Sequence, residues 1–280
     1  MIHTSGWRDL GYAIVVALSL SSNAIAADYN SGYTAFTRGD YATALKEWQP
    51  LAERGDARAQ YNLGYLYHEG FGVTKDMARA ALWWQRAAEQ NLGDAQHSLA
   101  LAYLAGDGVA QDAQKAVALL DRASIAGLPR SQYTLGKMYL HGVGVVPDAA
   151  LAAQLILVAA EHGDARAQYN MGKLYRDGLG VTQSPAEATR WFTASALQGH
   201  ARAQSQLGTR YARGDGTGPD DVQALKWMLL AAEQGDDAAR SNRAAMLSRL
   251  SDAEVGEAKR QAIIACKEML ASGRACSPPP

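Results

Sequence analysis

The stretch Ala59-Gln60-Tyr61-Asn62-Leu63-Gly64-Tyr65-Leu66-Tyr67-His68-Glu69-Gly70-Phe71-Gly72-Val73 decides the fold, because its pattern returns every 36 residues. The pattern occurs five times without an insertion or a deletion, as its tyrosine column shows: Tyr67, Tyr103, Tyr139, Tyr175 and Tyr211. A fixed period in the range of about 20–50 residues indicates a repeat array in which each unit packs on its neighbours. We therefore expect an elongated stack of identical small units.

Each unit has the pattern of two helices joined by a glycine turn. In the first unit, Ala59, Leu63, Gly64 and Tyr67 form one stripe of an amphipathic helix. Glycines at 70 and 72 then end that helix and permit a tight turn. In the second helix, small residues allow close approach, and one large residue is expected to fill the remaining gap. We assign that role to the column Trp83, Leu119, Leu155, Trp191 and Trp227.

Acidic and hydroxyl residues are placed to cap these helices. The N-caps expected for the first helices are Asp56, Asp94, Asp164 and Asp236. Those expected for the second helices are Asp76, Asp112, Asp148 and Ser184, the last followed by Pro185 at the first helical position.

The repeated unit reads A-x-A-Q-x-x-L-G-x-x-Y-x-x-G-x-G-V, then an acidic cap, then A-x-x-W-x-x-A-A-E-Q-G. It resembles the Sel-one-like repeat (SLR) family, a relative of the tetratricopeptide repeat with a longer loop between its helices. The resemblance covers about Asp56 to Gly235. It implies an all-α fold, a right-handed αα-solenoid of helix-turn-helix repeats.

The ends of the chain differ from the repeats. Residues 1–26 are predicted to be a signal peptide, 27–55 a tetratricopeptide-like capping repeat, 56–235 the five repeats, 236–270 C-terminal capping helices and 271–280 a flexible tail. In the first cap, Trp48 aligns with Trp84. Ser251 and Glu254 form the pattern of a capping box that opens the last helix.

The N-terminus has the features of a secretory signal. Arg8 precedes an apolar run from Leu10 to Leu20, and small residues up to Ala26 place a cleavage site after that alanine. The alternatives are a short uncleaved anchor or a buried helix. We expect the mature protein to be periplasmic or secreted. In an exported protein, Cys266 and Cys276 suggest one disulfide, with free thiols or an intermolecular bridge as alternatives.

The sequence offers no catalytic chemistry. A net charge of −1 gives no electrostatic attraction to nucleic acid or anionic lipid. The chain contains no H-E-x-x-H, G-x-S-x-G or S-x-x-K motif, and its six histidines do not have the helical spacing of metal ligands. We expect no enzyme activity, no cofactor and no metal site.

Internal comparison separates scaffold positions from candidate binding positions. Columns that keep one residue serve the stack, whereas columns that change are free to contact a partner. Three variable positions of the first helix are spaced i, i+4 and i+7 and therefore share a face, which the resemblance implies to be concave. The predicted partner-binding residues are Tyr61, Tyr65, His68, His97, Leu101, Leu104, Tyr133, Lys137, Leu140, Tyr169, Lys173 and Arg176. The alternative is that these positions are merely solvated.

A further column holds Arg58, Arg130, Arg166 and Arg202. It is expected to form ion pairs inside the array with the preceding glutamates Glu53, Glu161 and Glu233.

Exposed tyrosines beside cations are typical of surfaces that contact peptides or proteins. We expect a monomeric, exported, non-enzymatic scaffold that holds a protein or peptide in a concave groove. In the SLR family, such proteins act as adaptors, as regulators of envelope signalling or polymer export, or as factors that engage host proteins. One alternative is β-lactam hydrolysis or binding, although this chain lacks the cysteine pair per repeat of the SLR proteins linked to it. The other is a cell-wall glycan binder that stacks sugars on its tyrosines.

Overall fold

The structure is a computed structural model that describes residues 29–279, and this part of the chain contains helices and no strands. The predicted signal peptide lies outside the described residues. None of the described helices is long and apolar enough to cross a membrane. The helices are α1 (29–37), α2 (Tyr41–Glu53), α3 (Ala57–Glu69), α4 (Met77–Glu89), α5 (Gly93–Ala105), α6 (Ala113–Ile125), α7 (Pro129–His141), α8 (Ala149–Glu161), α9 (Ala165–Asp177), α10 (Pro185–Ala196), α11 (Ala201–Arg213), α12 (Asp221–Glu233), α13 (Asp237–Leu247) and α14 (Asp252–Ala271).

The described residues form two compact units, 29–128 and 129–279. In the first unit, each helix from α2 to α5 packs against the next helix in the chain. In the second unit the same holds from α7 to α12, and α14 packs against α12. Each repeat thus contributes two adjacent helices, and the all-α solenoid predicted from the period is confirmed.

In every repeat but the second, which has Ala100 at this position, the two helices meet where a glycine of the first faces a large side chain of the second. A Cβ atom placed on Gly64 would lie 2.6 Å from the Trp84 ring, and one on Gly172 would lie 2.6 Å from the Phe192 ring. Because glycine has no Cβ, the ring rests directly on the helix backbone. The equivalent pairs are Gly32 with Trp48, Gly136 with Ile156, and Gly208 with Met228.

The large residue that fills the gap is therefore Trp84, and the assignment of Trp83 to that role is wrong. Trp84 is 5% exposed, whereas Trp83 is half-buried and packs on the cluster of α2 and α3. One residue along a helix turns the side chain by about 100°, so neighbours face different partners. The column of Trp83 packs towards the preceding repeat, as Trp191 does in the cluster that includes Ala153 and Ile156 of α8.

The loop between the two helices also depends on glycine. The second loop glycine has a positive φ, for example 72° at Gly108, and a Cβ on it would collide with backbone at the start of the preceding repeat's second helix. The loop therefore lies directly on the previous repeat. The four pairs described are Gly72 with Tyr41, Gly108 with Met77, Gly180 with Ala149, and Gly216 with Pro185.

A column of buried glutamines joins successive repeats. The side-chain nitrogen of each such glutamine donates to a carbonyl eight residues earlier, as Gln60 does to Ala52 at 3.0 Å and Gln204 to Ala196 at 3.1 Å. Its oxygen accepts from a second glutamine thirty residues later in the pairs Gln60 with Gln90, Gln168 with Gln198, and Gln204 with Gln234.

In the second repeat this glutamine ladder is incomplete. Ala126 stands where three of the other repeats have the second glutamine and the third repeat has His162, and the buried Oε1 of Gln96 has no partner within residues 29–279.

The predicted helix caps are confirmed except for one. Side chains of Asp56, Asp164 and Asp236 cap the first helices, and those of Asp76, Asp112, Asp148 and Ser184 cap the second helices. The assignment of Asp94 is wrong, because α5 begins behind Leu92 and Asp94 lies inside its first turn. The 36-residue register puts Leu92 in line with Asp56, and Asn91 adopts the left-handed φ of 64° where other repeats have glycine.

Two residues of the arginine column, Arg58 and Arg166, pair differently from the prediction. Arg166 lies 3.1 Å from Asp164, and Arg58 lies 3.9 Å from Asp56, so each arginine pairs with its own helix cap two residues earlier. Of the three predicted glutamates, Glu233 pairs with an arginine from another column, Arg243, at 3.2 Å. The nearby cap is the easier partner to reach, and such exposed pairs add little stability.

The C-terminal cap follows the sequence closely. Ser251 and Glu254 form the predicted capping box of α14. Cys266 and Cys276 are joined by a disulfide, with their Cα atoms 5.5 Å apart. The segment predicted to be a flexible tail makes contacts before Cys276, because Arg274 donates to the Leu197 carbonyl at 3.0 Å.

Replacing Gly172 with alanine should destabilise the protein, because the new Cβ would meet the Phe192 ring at 2.6 Å. Overpacking of this kind costs about 1–3 kcal/mol. Gly256→Ala is the matched control: its Cβ would meet only the Arg260 guanidinium at 3.5 Å, and removing a helical glycine stabilises by about 0.5–1 kcal/mol. Urea unfolding followed by circular dichroism would measure both. Equal shifts for the two variants would contradict the close-approach account.

Ala126→Gln should complete the glutamine ladder and stabilise the protein by about 1 kcal/mol, because the new amide can donate to the unpartnered Oε1 of Gln96. Ala126→Glu has nearly the same shape but can only accept when ionised, so it should not stabilise. Thermal unfolding at neutral pH compares the two variants. If glutamate stabilised as much as glutamine, the missing hydrogen bond would not be the cause.

Candidate functional site

Four of the predicted binding residues line one pocket in the first unit. Tyr61, Tyr65 and His68 come from α3, and Leu101 comes from α5. The pocket has a volume of about 280 Å³ and opens to solvent between these two helices. We call it the α3/α5 pocket. Its remaining lining residues are Met77 and Trp84 of α4, Ser98, Ala102 and Ala105 of α5, and Asp107.

The pocket exists because one face of α5 carries small side chains. Ser98, Ala102 and Ala105 are spaced i, i+4 and i+7, so they share that face. Other repeats have larger residues in all three of these columns, such as Glu69 and His141 in line with Ala105. The small side chains leave space above Trp84 that the neighbouring repeats fill.

The aromatic walls are fixed by contacts within the unit. The His68 ring lies 5.4 Å from the Trp84 ring, and the Trp84 indole donates to the Tyr61 carbonyl at 3.3 Å. Tyr65 meets Phe71 edge-on at 6.2 Å. Burial raises the pKa of Tyr65, and the charge of Glu69 raises it further, so its hydroxyl remains a hydrogen-bond donor at neutral pH.

Asp107 stands at the rim of the pocket on a rigid stretch of backbone. Gly106 ends α5 in the left-handed conformation, and the N–H groups of Gly106 and Asp107 donate to the Ala102 carbonyl at 2.8 and 3.0 Å. Gly108 then packs on Met77. The backbone of Asp107 is thus held by the repeat scaffold on both sides.

Several polar groups in the pocket remain available for a ligand. The hydroxyls of Tyr61, Tyr65 and Ser98 and the carboxylate of Asp107 make no hydrogen bond or ion pair with other residues in the described range 29–279. His68, in contrast, is engaged by Glu69, with Nδ1 2.8 Å from the carboxylate oxygen.

The other two predicted residues of the first unit lie elsewhere. His97 is only 8% exposed and so presents little surface to a partner. Leu104 is half-buried on α5 and does not line the α3/α5 pocket.

In the second unit, the two predicted tyrosines are largely occupied by contacts with the repeat that follows each of them. The Tyr133 hydroxyl accepts from Asn170 at 3.0 Å, and Tyr169 stacks on His200 at 4.9 Å. Burial raises the pKa of both tyrosines. These rings are therefore poorer candidates for ligand stacking than their exposure in the sequence pattern suggested.

The predicted cations of the second unit are also partly engaged. Lys137 and Lys173 hold their ammonium groups 5.7 and 6.0 Å from the rings of Tyr133 and Tyr169. Arg176 pairs with Asp177 at 2.7 Å and donates to Gln206 at 3.1 Å, while Leu140 packs against the core cluster of α8 and α9.

Sequence reasoning missed Asp107, although a usable signal was present. The equivalent loop positions hold Phe71, Val143, Leu179 and Asp215, so this column varies as much as the columns chosen on the first helix. The prediction compares helix positions only, so this loop column is not among the predicted residues. Within residues 29–279, no group of three or more His, Cys, Asp or Glu side chains is placed to hold a metal ion.

The chain matches one protein family along most of the described residues. The family model described as Sel1 repeat matches five consecutive segments: 57–92, 93–128, 129–164, 165–200 and 201–236. A search of curated protein sequences gave no match.

Two solved structures resemble this chain along most of its length. A Sel1 repeat protein from Oxalobacter formigenes is 28% identical with a TM-score of 0.74, and the match covers 85% of this chain and 96% of that one. The protein c5321, a protective antigen present in uropathogenic Escherichia coli strains that displays an SLR fold, is 31% identical with a TM-score of 0.61. That match covers 91% of this chain but only 62% of c5321.

His200 makes the stability of the second unit depend on pH. Its Nδ1 accepts from the Ala203 N–H at 3.2 Å as the N-cap of α11. Burial lowers the pKa of His200, and the positive charge of Arg202 lowers it further. A histidine in the unfolded chain has a pKa of about 6.5. Between that pH and the lower pKa of folded His200, the unfolded chain therefore binds a proton that the folded chain does not. Stability should be full above this pH and fall as the pH drops towards the folded pKa.

In His200→Asn the cap is kept without a titrating group, so the loss of stability between pH 7.5 and 5 should be smaller than in the wild type. Urea midpoints measured across this range would compare the two proteins. Parallel curves would show that His200 does not cause the acid loss.

Proposed function

Because the chain belongs to the Sel1 repeat family, we propose that it is an exported scaffold that holds a segment of a partner protein in the α3/α5 pocket. Sel1 repeat proteins are generally scaffolds for protein–protein interaction. The observation that carries the proposal is the convergence of four variable positions, Tyr61, Tyr65, His68 and Leu101, on one open pocket.

The composition of the pocket suits protein recognition. Leu101 is 44% exposed beside half-buried aromatic rings, so the pocket offers apolar and aromatic surface together. Aromatic and aliphatic anchors in a preformed pocket dominate the binding energy of many protein interfaces. Trp84 and Met77, which also hold the repeats together, form the fixed floor of the pocket, whereas Gly64 and Leu63 lie outside its lining. Binding there requires no change in the scaffold.

Export is part of the proposal. It rests on the signal-peptide pattern of residues 1–26 and gains support from the disulfide between Cys266 and Cys276. Disulfides of this kind persist in oxidising compartments such as the periplasm and are rare in the cytosol. The proposed role is one of positioning a partner in the cell envelope or outside it, and it needs no catalytic group.

Affinity capture from the native envelope tests the proposal, with the full-length protein and two variants as baits. Leu101→Arg places a long charged side chain in the pocket, whereas Leu82→Arg makes the same change at a 47% exposed leucine of α4 outside the pocket lining. We expect one or more proteins to be retained by the wild type and by Leu82→Arg and to be lost from Leu101→Arg.

Both substitutions are at exposed positions, so their circular dichroism and urea midpoints should match the wild type within about 0.5 kcal/mol. Capture of the same proteins by all three baits would place the binding surface elsewhere on the molecule. Loss from both variants would point to a general effect of added charge and would also contradict the proposal.

A further inference from the structure

We propose that the occupant of the α3/α5 pocket is a basic side chain, arginine or lysine, presented by the partner's segment. This inference rests on the proposed function and names the chemistry that the pocket selects.

The size of the pocket favours a single side chain. Its volume of about 280 Å³ is just below the range of roughly 300–1,000 Å³ typical of sites that enclose a whole small molecule. The pocket also opens between two helices, so a segment that runs across its mouth can insert one long side chain.

The charge of the pocket favours a cation. Asp107 is the one acidic residue of the lining, and the lining contains no lysine or arginine. Glu69, which lies outside the lining, is 2.8 Å from the Nδ1 of His68. The Asp107 carboxylate would repel an acidic side chain, and a neutral one would gain no charge attraction from it.

The walls suit the two parts of a basic side chain. Tyr61, Tyr65 and Trp84 offer ring surfaces of the kind that attract guanidinium and ammonium groups. The same unit already contains such pairs, with the Arg58 guanidinium 4.3 Å from the centre of the Tyr29 ring and that of Arg86 4.5 Å from the centre of the Trp83 ring. Leu101, Ala102 and Met77 provide apolar surface for the aliphatic stem.

The fold does not require an acid at position 107. In the preceding repeat the equivalent residue is Phe71, which lies against Tyr41 and Tyr65, so side chains at this loop position reach towards the face of the first helices. The equivalent residues of the next two repeats, Val143 and Leu179, are apolar. The fifth repeat has an acid here too, Asp215, but the exposed carboxylate of Asp107 makes no hydrogen bond or ion pair with other residues in 29–279 and is therefore available to a ligand that supplies a positive charge.

Methyl NMR of the full-length protein tests this inference with short capped peptides as probes: Ac-Gly-Arg-Gly-NH₂, Ac-Gly-Lys-Gly-NH₂, Ac-Gly-Gln-Gly-NH₂ and Ac-Gly-Glu-Gly-NH₂. The methyl groups of Leu101 and Met77 report directly on the pocket. We expect saturable shifts of these signals with the arginine and lysine peptides, stronger at low salt, and at least about threefold weaker binding of the glutamine and glutamate peptides.

Asp107→Asn should weaken binding of the basic peptides at least about threefold while leaving the glutamine peptide unchanged. The matched control is Asp121→Asn, the same charge change on an exposed residue of α6 outside the pocket lining, which should have no effect. Comparing the arginine with the lysine peptide shows which cation the pocket prefers.

Three results would overturn the inference: equal binding of all four peptides, shifts confined to methyl groups away from Leu101 and Met77, or no saturable shift with any peptide. Its failure is separable from that of the proposed function. If Leu101→Arg still abolished protein capture while the peptides showed no preference for a positive charge, the scaffold role would stand and the basic occupant would be rejected.

Discussion

The close approach of two helices at a glycine is the constraint on which the rest of this structure depends. At Gly64 and Gly172 the ring of Trp84 or Phe192 lies where a Cβ would otherwise be. A second glycine, in the loop, lets each repeat rest on the backbone of the one before it. Together these contacts leave no room for an inserted residue or a large side chain, and the one departure from glycine in the helix column is the small Ala100 of the second repeat. This explains why five repeats keep one length while much of their surface varies.

The same constraint separates the scaffold from the recognition surface. Glycine, alanine and the buried glutamines hold the helix pairs and link the repeats, so the variable columns of the first helices can differ from repeat to repeat. Where those positions hold small residues, as at Ser98 and Ala105, a pocket opens above Trp84. At Tyr133 and Tyr169 the tyrosine instead contacts a residue of the following repeat, Asn170 or His200. One scaffold thus yields different local surfaces in different repeats.

The period allowed the fold to be predicted almost completely, because helix bounds, loop glycines and most caps follow from register alone. The errors were local. The sequence does not distinguish Trp83 from Trp84 as the residue that fills the gap between the helices, because both side chains are large. Only the packing of α4 on α3 distinguishes them. Asp94 was chosen as a cap because it is acidic, although register pointed to Leu92. The site was harder to predict, because variability marks a position as free but does not show how far neighbouring side chains reach. Asp107 also lies on a loop, outside the columns that were compared.

The claim most in need of a direct test is that the partner lies against the α3/α5 pocket. Site-specific photo-crosslinking in the native cell provides that test, with benzoylphenylalanine placed at residue 101 or, in a separate protein, at residue 82. If the partner lies there, we expect a discrete crosslinked species from residue 101 that is absent when the crosslinker is at residue 82. The same species from both positions, or a species from residue 82 alone, would contradict it.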